Sequence, residues 1–308
     1  MIVPFACEHV AEAADLLVAR HAQHRGATPL VTPLDHGEAV SEVEGLLAIE
    51  GTAGAVAIED GRVVGYLLGT PKVGVAWGMN MWVEPAGCAG QRLRELWGFA
   101  AVPWVAEGRR AQYALVPPSL SPDFFSLGFG VQHVHAAMPV PLAASHPDPR
   151  VRPAKRADIP MLAQIDVSFH QHLVASPVFS GLTATTYDAA VEEWETDFDD
   201  PAYVVLVAEV DGVVVGSAIG CDVAKSSANA GLISSSHAAH LAFAGVLPKA
   251  RGLGLGTALA VGIETWAHGE GYPVICTDWR AANLEADRTW RSRGYSPTFL
   301  RLHRLVGH

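Results

Sequence analysis

The chain has 308 residues, half of them apolar and 17% charged, with a formal net charge of −11 at neutral pH. Such a length suits roughly two domains of ~150 residues each, and the apolar content excludes a disordered chain. The negative balance excludes a general affinity for nucleic acid or anionic membrane, which needs Lys/Arg fields, and favours a neutral or cationic substrate such as an amine.

The four cysteines, Cys7, Cys88, Cys221 and Cys276, form no C-x-x-C pair, so neither a zinc site nor a disulfide framework is expected. The first residues carry no basic segment followed by an apolar one, and no stretch approaches the ~20 apolar residues of a membrane span. A cytoplasmic protein is the expectation.

In chain order, the first half offers a β-rich run, Gly54 to Ile58, and then Asp60-Gly61-Arg62-Val63-Val64-Gly65-Tyr66-Leu67-Leu68-Gly69. Asp-Gly supplies the positive φ that tight hairpin turns require, so a hairpin is predicted. Val83-Glu84-Pro85 ends a further β-like run and precedes a helical segment. Trp104 to Gly108 reads as a helix end, and Phe124 and Gly128-Phe129 lead into a closing run, Val131 to Met138. Residues 139–149 hold four prolines in eleven positions and read as a stiff linker.

The second half repeats this order. A strand at Val151 to Pro153 is followed by helices over Ala154 to His172, with Asp158 as cap and Pro160 in its first turn, and over Thr185 to Phe198. Strands Tyr203 to Val210 and Val213 to Val223 flank Asp211-Gly212. The small, polar stretch Ala224 to His237 reads as a loop, and Ala238 to Val246 as a strand. A helix over Gly254 to His268, a short strand Val274 to Thr277, a helix Leu284 to Arg293 and a closing run Thr298 to Leu305 complete it. Val246-Leu247-Pro248 echoes Val83-Glu84-Pro85; Trp290 and Gly294-Tyr295 echo Phe124 and Gly128-Phe129 at the same spacing. Repetition in the same order points to duplication of a whole domain. The expected fold class is α+β: two similar domains, each a mixed, mostly antiparallel central sheet flanked by helices, over 1–138 and 150–308.

The sharpest chemical signal is Pro248-Lys249-Ala250-Arg251-Gly252-Leu253-Gly254-Leu255-Gly256-Thr257. A glycine-rich turn after a strand opens an amphipathic helix, whose first amides lack intrahelical partners and whose dipole adds positive charge. That arrangement suits a phosphate or pyrophosphate, with Arg251 adding a charge-assisted bond. The Rossmann spacing fails, because Gly252, Gly254 and Gly256 alternate, and no Gly-Lys-Ser/Thr follows. What remains is R-x-x-G-x-G. A glycine-rich helix start with no ligand is the plain alternative.

With Asn283-Leu284-Glu285-Ala286, then Trp290 and Gly294-Tyr295, this segment resembles the GNAT acetyltransferase superfamily. The chain as a whole resembles tandem-GNAT proteins of actinobacterial type. The resemblance implies acetyl-coenzyme A as co-substrate, with its pyrophosphate on Arg251, Gly252, Leu253, Gly254, Leu255, Gly256 and Thr257. It implies thioester and pantetheine along Ala244 to Val246, and further contacts from Asn283 and Trp290. Two features depart from the family. Counted from Pro85, Cys88, Gln91 and Leu93 stand where the second half has Arg251, Gly254 and Gly256, so the first half is a degenerate copy. Trp290 replaces a tyrosine that protonates the leaving thiolate in many relatives, and an indole N–H is no acid at neutral pH.

Acyl transfer to an amine needs an acceptor for the amine's proton. His240, on the strand upstream of the cofactor contacts, is the first candidate, since imidazole titrates near neutrality. Asp278, placed just beyond the fifth strand, is the second, and His237 a weaker third. A core histidine and a helix-capping aspartate are the competing structural roles. His133-x-His135 and His170-x-His172 offer only two ligands each, so no metal is expected. The function expected is acetyl transfer from acetyl-coenzyme A to a small amine, by a monomer or homodimer. The alternative is a non-catalytic acyl-coenzyme A sensor or structural module; a different acyl group, a hydroxyl acceptor or a protein N-terminus also stays open.

Overall fold

Both Asp-Gly pairs turn their hairpins as predicted. Asp60 and Gly61 take φ of 50° and 76°, Asp211 and Gly212 take 49° and 77°, the two successive positive values that match the right-handed twist of the flanking strands. The strands so joined even share a defect. Register slips by one residue at Val64 in the first hairpin and at Val215 in the second, so the duplication extends to the position of a β-bulge.

The computed structural model describes residues 1–73, 78–142, 148–175, 184–226, 229 and 231–307. Part of the linker (143–147), residues 176–183 and part of the small, polar loop (227–228 and 230) lie outside the described residues. The chain divides into two compact units, Met1–His135 with Pro297–His308, and Ala136–Ser296.

The first unit holds β1 (Ile2–Pro4), α1 (Val10–Ala27), α2 (His36–Leu47), β2 (Ala53–Glu59), β3 (Arg62–Gly69), β4 (Asn80–Val83), β5 (Cys88–Gly90), α3 (Leu93–Ala106), β6 (Ala111–Val116), α4 (Ser121–Phe125) and most of β7 (Gly130–Pro139). Strands β1, β2, β3 and β5 are antiparallel neighbours, and β4 runs parallel to β6. Its core gathers Trp97 and Trp104 of α3 with Phe124, Phe129, Leu67 and Met81.

The second unit continues with β8 (Val151–Pro153), α5 (Ile159–Val174), α6 (Tyr187–Asp197), β9 (Tyr203–Val210), β10 (Val213–Asp222), β11 (Ala238–Val246), α7 (Leu255–Gly269), β12 (Val274–Arg280) and α8 (Leu284–Ser292). Strands β8 to β11 are antiparallel in sequence order, and β11 to β12 is a parallel step across α7. Ile159, Leu162 and Ile165 of α5 and Trp194 of α6 pack on Val207 and Val214 of the sheet. The last strand, β13 (Ser296–Leu305), pairs antiparallel with β6 from Leu300 to Leu305, so Pro297–His308 completes the first unit's sheet.

Two sequence expectations need correction. Strand β12 runs to Arg280, so Asp278 lies within it and not beyond it; Trp279 and Arg280 are both buried. Pro85 does not end the strand region of the first unit. After a tight turn closed by Gly87 N donating to Glu84 O, the chain rejoins β3 as β5.

Candidate functional site

Strand β11 is paired differently along its two halves. Against β10 it is continuous but for one extra residue, Ala242, between the pairs Gly220↔Leu241 and Ile219↔Phe243. This is a β-bulge, which bends the strand and re-aims its backbone. Against β12 it pairs only from Ala238 to His240. Past that point a side chain takes over: Thr277 Oγ1 donates to Leu241 O at 2.9 Å. Ala238 to Leu241 are buried, Ala242 is exposed, and Phe243 to Val246 are half-buried. The two parallel strands thus fork at His240, and the backbone of Ala244 and Val246 lines the open side.

At the mouth of the fork the sequence builds the anion cradle. A short 3₁₀ turn, Pro248–Ala250, leads to Arg251; Gly252 and Gly254 then take φ of 81° and 78°, values that carry a steric cost for any residue with a Cβ. A Cβ built on either glycine meets nothing within 4 Å. Gly254 caps α7 with no side-chain bond. Among the described residues, the amides of Gly252, Leu253, Gly254, Leu255, Gly256 and Thr257 have no protein acceptor. The fifteen-residue α7 adds its dipole at this end. Arg251 is exposed, and its guanidinium lies beside Glu285, with Nη1 to Oε2 at 3.5 Å. Leu253 is exposed, and its carbonyl accepts from Arg150 Nη1 at 3.1 Å.

The first unit has no counterpart to this turn. Strand β5 ends at Gly90 and α3 begins at Leu93, leaving only Gln91 and Arg92 between. Helix α3 is capped by Arg92 at φ 62°, so Arg92, and not Gln91, stands in the place of Gly254. Its guanidinium is held by Glu59 and Glu95.

Asn283 caps α8: its Oδ1 accepts from Ala286 N at 3.1 Å, which leaves the Nδ2 donors for other work. Trp290 is buried, with its ring edge-on to Tyr295 at 5.6 Å. Tyr295 is itself buried, and burial drives its phenol well above the usual range. Neither ring offers a titrating acid.

The structure brings His240 and Asp278 together. His240 Nε2 is 3.9 Å from Asp278 Oδ1. Asn229, from the loop after β10, donates Nδ2 to the carboxylate at 2.9 Å, and the same Nδ2 lies 3.1 Å from His240 Nε2. Cys221 Sγ lies 3.9 Å from His240 Nδ1, and burial pushes its thiol up to about 11. Cys221, His240 and Cys276 are register partners across β10, β11 and β12; Cys276 is also buried, which pushes it up to about 12. His240 stands about 13 Å along the strand from Ala244. Two residues escaped the sequence reading: Asn229, a lone amide in a small polar loop, and Thr277, whose role appears only once β12 is seen to leave β11 there. His237 lies in the loop, with its ring 5.2 Å from that of Tyr272. Among the described residues no group of three or more His, Cys, Asp or Glu is placed to hold a metal, and no helix is long and apolar enough to cross a membrane.

Residues 168–295, which span the fork, the cradle and α8, match the acetyltransferase (GNAT) family. The matched residues lie within the second unit. Comparison with curated proteins finds no match. Among solved structures, a GCN5-related N-acetyltransferase from Sphaerobacter thermophilus is similar over 99% of this chain and 95% of its own, with a TM-score of 0.60 and 14% identity. A tandem GNAT protein from the clavulanic acid biosynthesis pathway is similar over 100% and 99%, with a TM-score of 0.50 and 14% identity. At these identities the likeness is one of fold, and it covers both units.

Proposed function

We propose that the second unit is a GNAT domain, which binds acetyl-coenzyme A and transfers its acetyl group to a small amine, as a cytoplasmic enzyme working as a monomer or homodimer. The observation that carries the reading is the run of six amides, Gly252 to Thr257, without protein acceptors at the start of α7. Such a row at a helix N-terminus suits a pyrophosphate, and open space over Gly252 and Gly254 lets one approach the backbone. Arg251 adds a cation, and Asn283 Nδ2 and the fork backbone at Ala244 and Val246 suit the amide-bearing arm.

When bound, the co-substrate supplies an acyl thioester that an amine attacks directly, forming an amide and releasing coenzyme A as its thiol. The chain's part is to hold the reactants and move one proton. The bulge at Ala242 turns backbone toward the fork, where an N–H can meet the developing oxyanion. His240, with Asp278 beside it, is the proton acceptor of this reading, and because it stands about 13 Å along the strand from Ala244 the amine's proton reaches it through intervening water. Trp290 supplies no acid, but a thiol of pKa ~8.5 leaves tolerably as thiolate. The −11 balance favours an amine that arrives as its cation and sheds one proton to solvent before it attacks in the neutral form. The first unit, with its two-residue turn, stays silent toward the cofactor.

Trp290 favours a second reading, a non-catalytic acyl-coenzyme A sensor. One experiment separates the two. Calorimetry with acetyl-coenzyme A should give binding that is lost in Gly254→Glu and weakened in Arg251→Ala; thiol release is then followed across an amine panel. Binding without amine-dependent release leaves the sensor, and no binding removes both.

A further inference from the structure

Asn229 has two amide hydrogens, and its two shortest side-chain contacts fix where they go. Asp278 Oδ1 lies 2.9 Å from Nδ2. A carboxylate oxygen only accepts, so the amide must turn its nitrogen toward it; the flipped amide would set two acceptors against each other. The second hydrogen then has His240 Nε2 at 3.1 Å and Ser226 Oγ at 3.4 Å, and the nearer imidazole takes it. An N–H at Nε2 would oppose that donor head-on, so Nε2 carries the lone pair and Nδ1 carries the proton. Nδ1 faces Cys221 Sγ at 3.9 Å. The opposite tautomer would rest on two long contacts, a thiol to Nδ1 at 3.9 Å and Nε2–H to Asp278 at 3.9 Å, and would forfeit the 3.1 Å bond. The amide itself is anchored: its backbone N donates to Ser226 Oγ at 3.2 Å, and Asn229, His240 and Cys221 are all buried. In a site with little water, such a bond sets the protonation pattern instead of yielding to solvent.

We propose that Asn229 is a positioning residue that fixes the tautomer of His240, keeping Nδ1 protonated and Nε2 unprotonated, its lone pair held by the Asn229 N–H. The ring can take up a proton at Nε2 once the Asn229 N–H swings away from that lone pair, with Asp278 alongside to stabilise it. This rests on the reading of His240 as the base, but the tautomer can be tested without it.

The test is a long-range ¹H–¹⁵N spectrum of the imidazoles in the full-length protein at pH 8, with His240→Gln to assign the ring. The expected spectrum has Nε2 of His240 unprotonated and Nδ1 protonated. Asn229→Asp, which replaces the donor with an acceptor, should reverse the pair and lower kcat at least ten-fold with KM for acetyl-coenzyme A unchanged. A wild-type ring protonated at Nε2 overturns the proposal, even where the variant fails to fold; so does a folded Asn229→Asp that keeps the wild-type tautomer. Full acyl transfer by His240→Gln would instead remove the base reading, and the spectrum would still decide the role of Asn229.

Discussion

Arg20 donates from Nη1 to the carbonyl of Cys88 at 2.6 Å, and Cys88 stands in the first unit where Ala244, and not Arg251 as the count from Pro85 implied, stands in the second. The hairpins fix that equivalence: Leu67 pairs with Cys88 as Ala218 pairs with Ala244, and the Asp-Gly turns align Leu67 with Ala218. A carbonyl that lies on the open side of the fork in one copy is thus occupied by a buried guanidinium in the other. Together with the short Gln91-Arg92 turn, this predicts one acetyl-coenzyme A site per chain. The stoichiometry measured by calorimetry should stay at one in Arg20→Ala, because removing the guanidinium restores no cradle. Two sites in either protein would refute the silent first unit.

Gly256 offers a way to part stability from binding. Unlike Gly252 and Gly254 it has no positive φ, and an added Cβ would meet only Val246 Cγ2, at 4.0 Å. Within a helix, alanine is favoured over glycine by up to ~1 kcal/mol. Gly256→Ala should therefore unfold at equal or higher denaturant concentration than wild type, yet bind acetyl-coenzyme A several-fold more weakly, since the methyl crowds the cradle. Undiminished binding would argue against the cradle as the cofactor site.

Much of this arrangement could be read along the chain because it is local. The Asp-Gly turns, the bounds of β11 and the glycine-rich opening of α7 depend on neighbours in sequence. What escaped was decided at long range. Pro85 reads as a stop, but Gly87 lets the chain rejoin β3. Asp278 reads as lying past a strand, but pairing and the burial of Trp279 and Arg280 prolong it. The partners of Asn229 lie 11 and 49 residues away, and β13 joins β6 across most of the chain. The acceptor of Thr277, 36 residues off, belongs to the same class.

His24 should make the first unit acid-sensitive. Burial, then Arg20 and His21, hold its imidazole down to about 4 from 6.5. A group lowered on folding contributes stability that is complete above the unfolded value and is lost as pH falls through the folded one. Between pH 7 and 4.5 wild type should lose roughly 2 to 3 kcal/mol more than His24→Leu in urea unfolding. Parallel pH dependences in the two proteins would contradict the buried neutral imidazole.

Asp166 should act in the opposite sense in the second unit. It sits on α5 with Trp194 Nε1 donating to its Oδ2 at 2.6 Å. Burial nonetheless pushes the carboxyl up to about 6 from 3.8, the indole bond only partly offsetting it. A group raised on folding contributes stability that is complete below the unfolded value, here about 3.8, and is lost as pH rises through the folded one, about 6. Near neutrality the unit therefore carries an ionised carboxylate that it would sooner hold protonated. Asn in its place keeps an acceptor for the Trp194 N–H and removes the titration. Asp166→Asn should accordingly be more stable than wild type at pH 7.5, with an advantage that shrinks by roughly 2 kcal/mol on going to pH 4.5. Urea unfolding of both proteins at the two pH values measures it. A constant difference would mean that Asp166 is solvated well enough to ionise in the folded unit as it does in the unfolded chain.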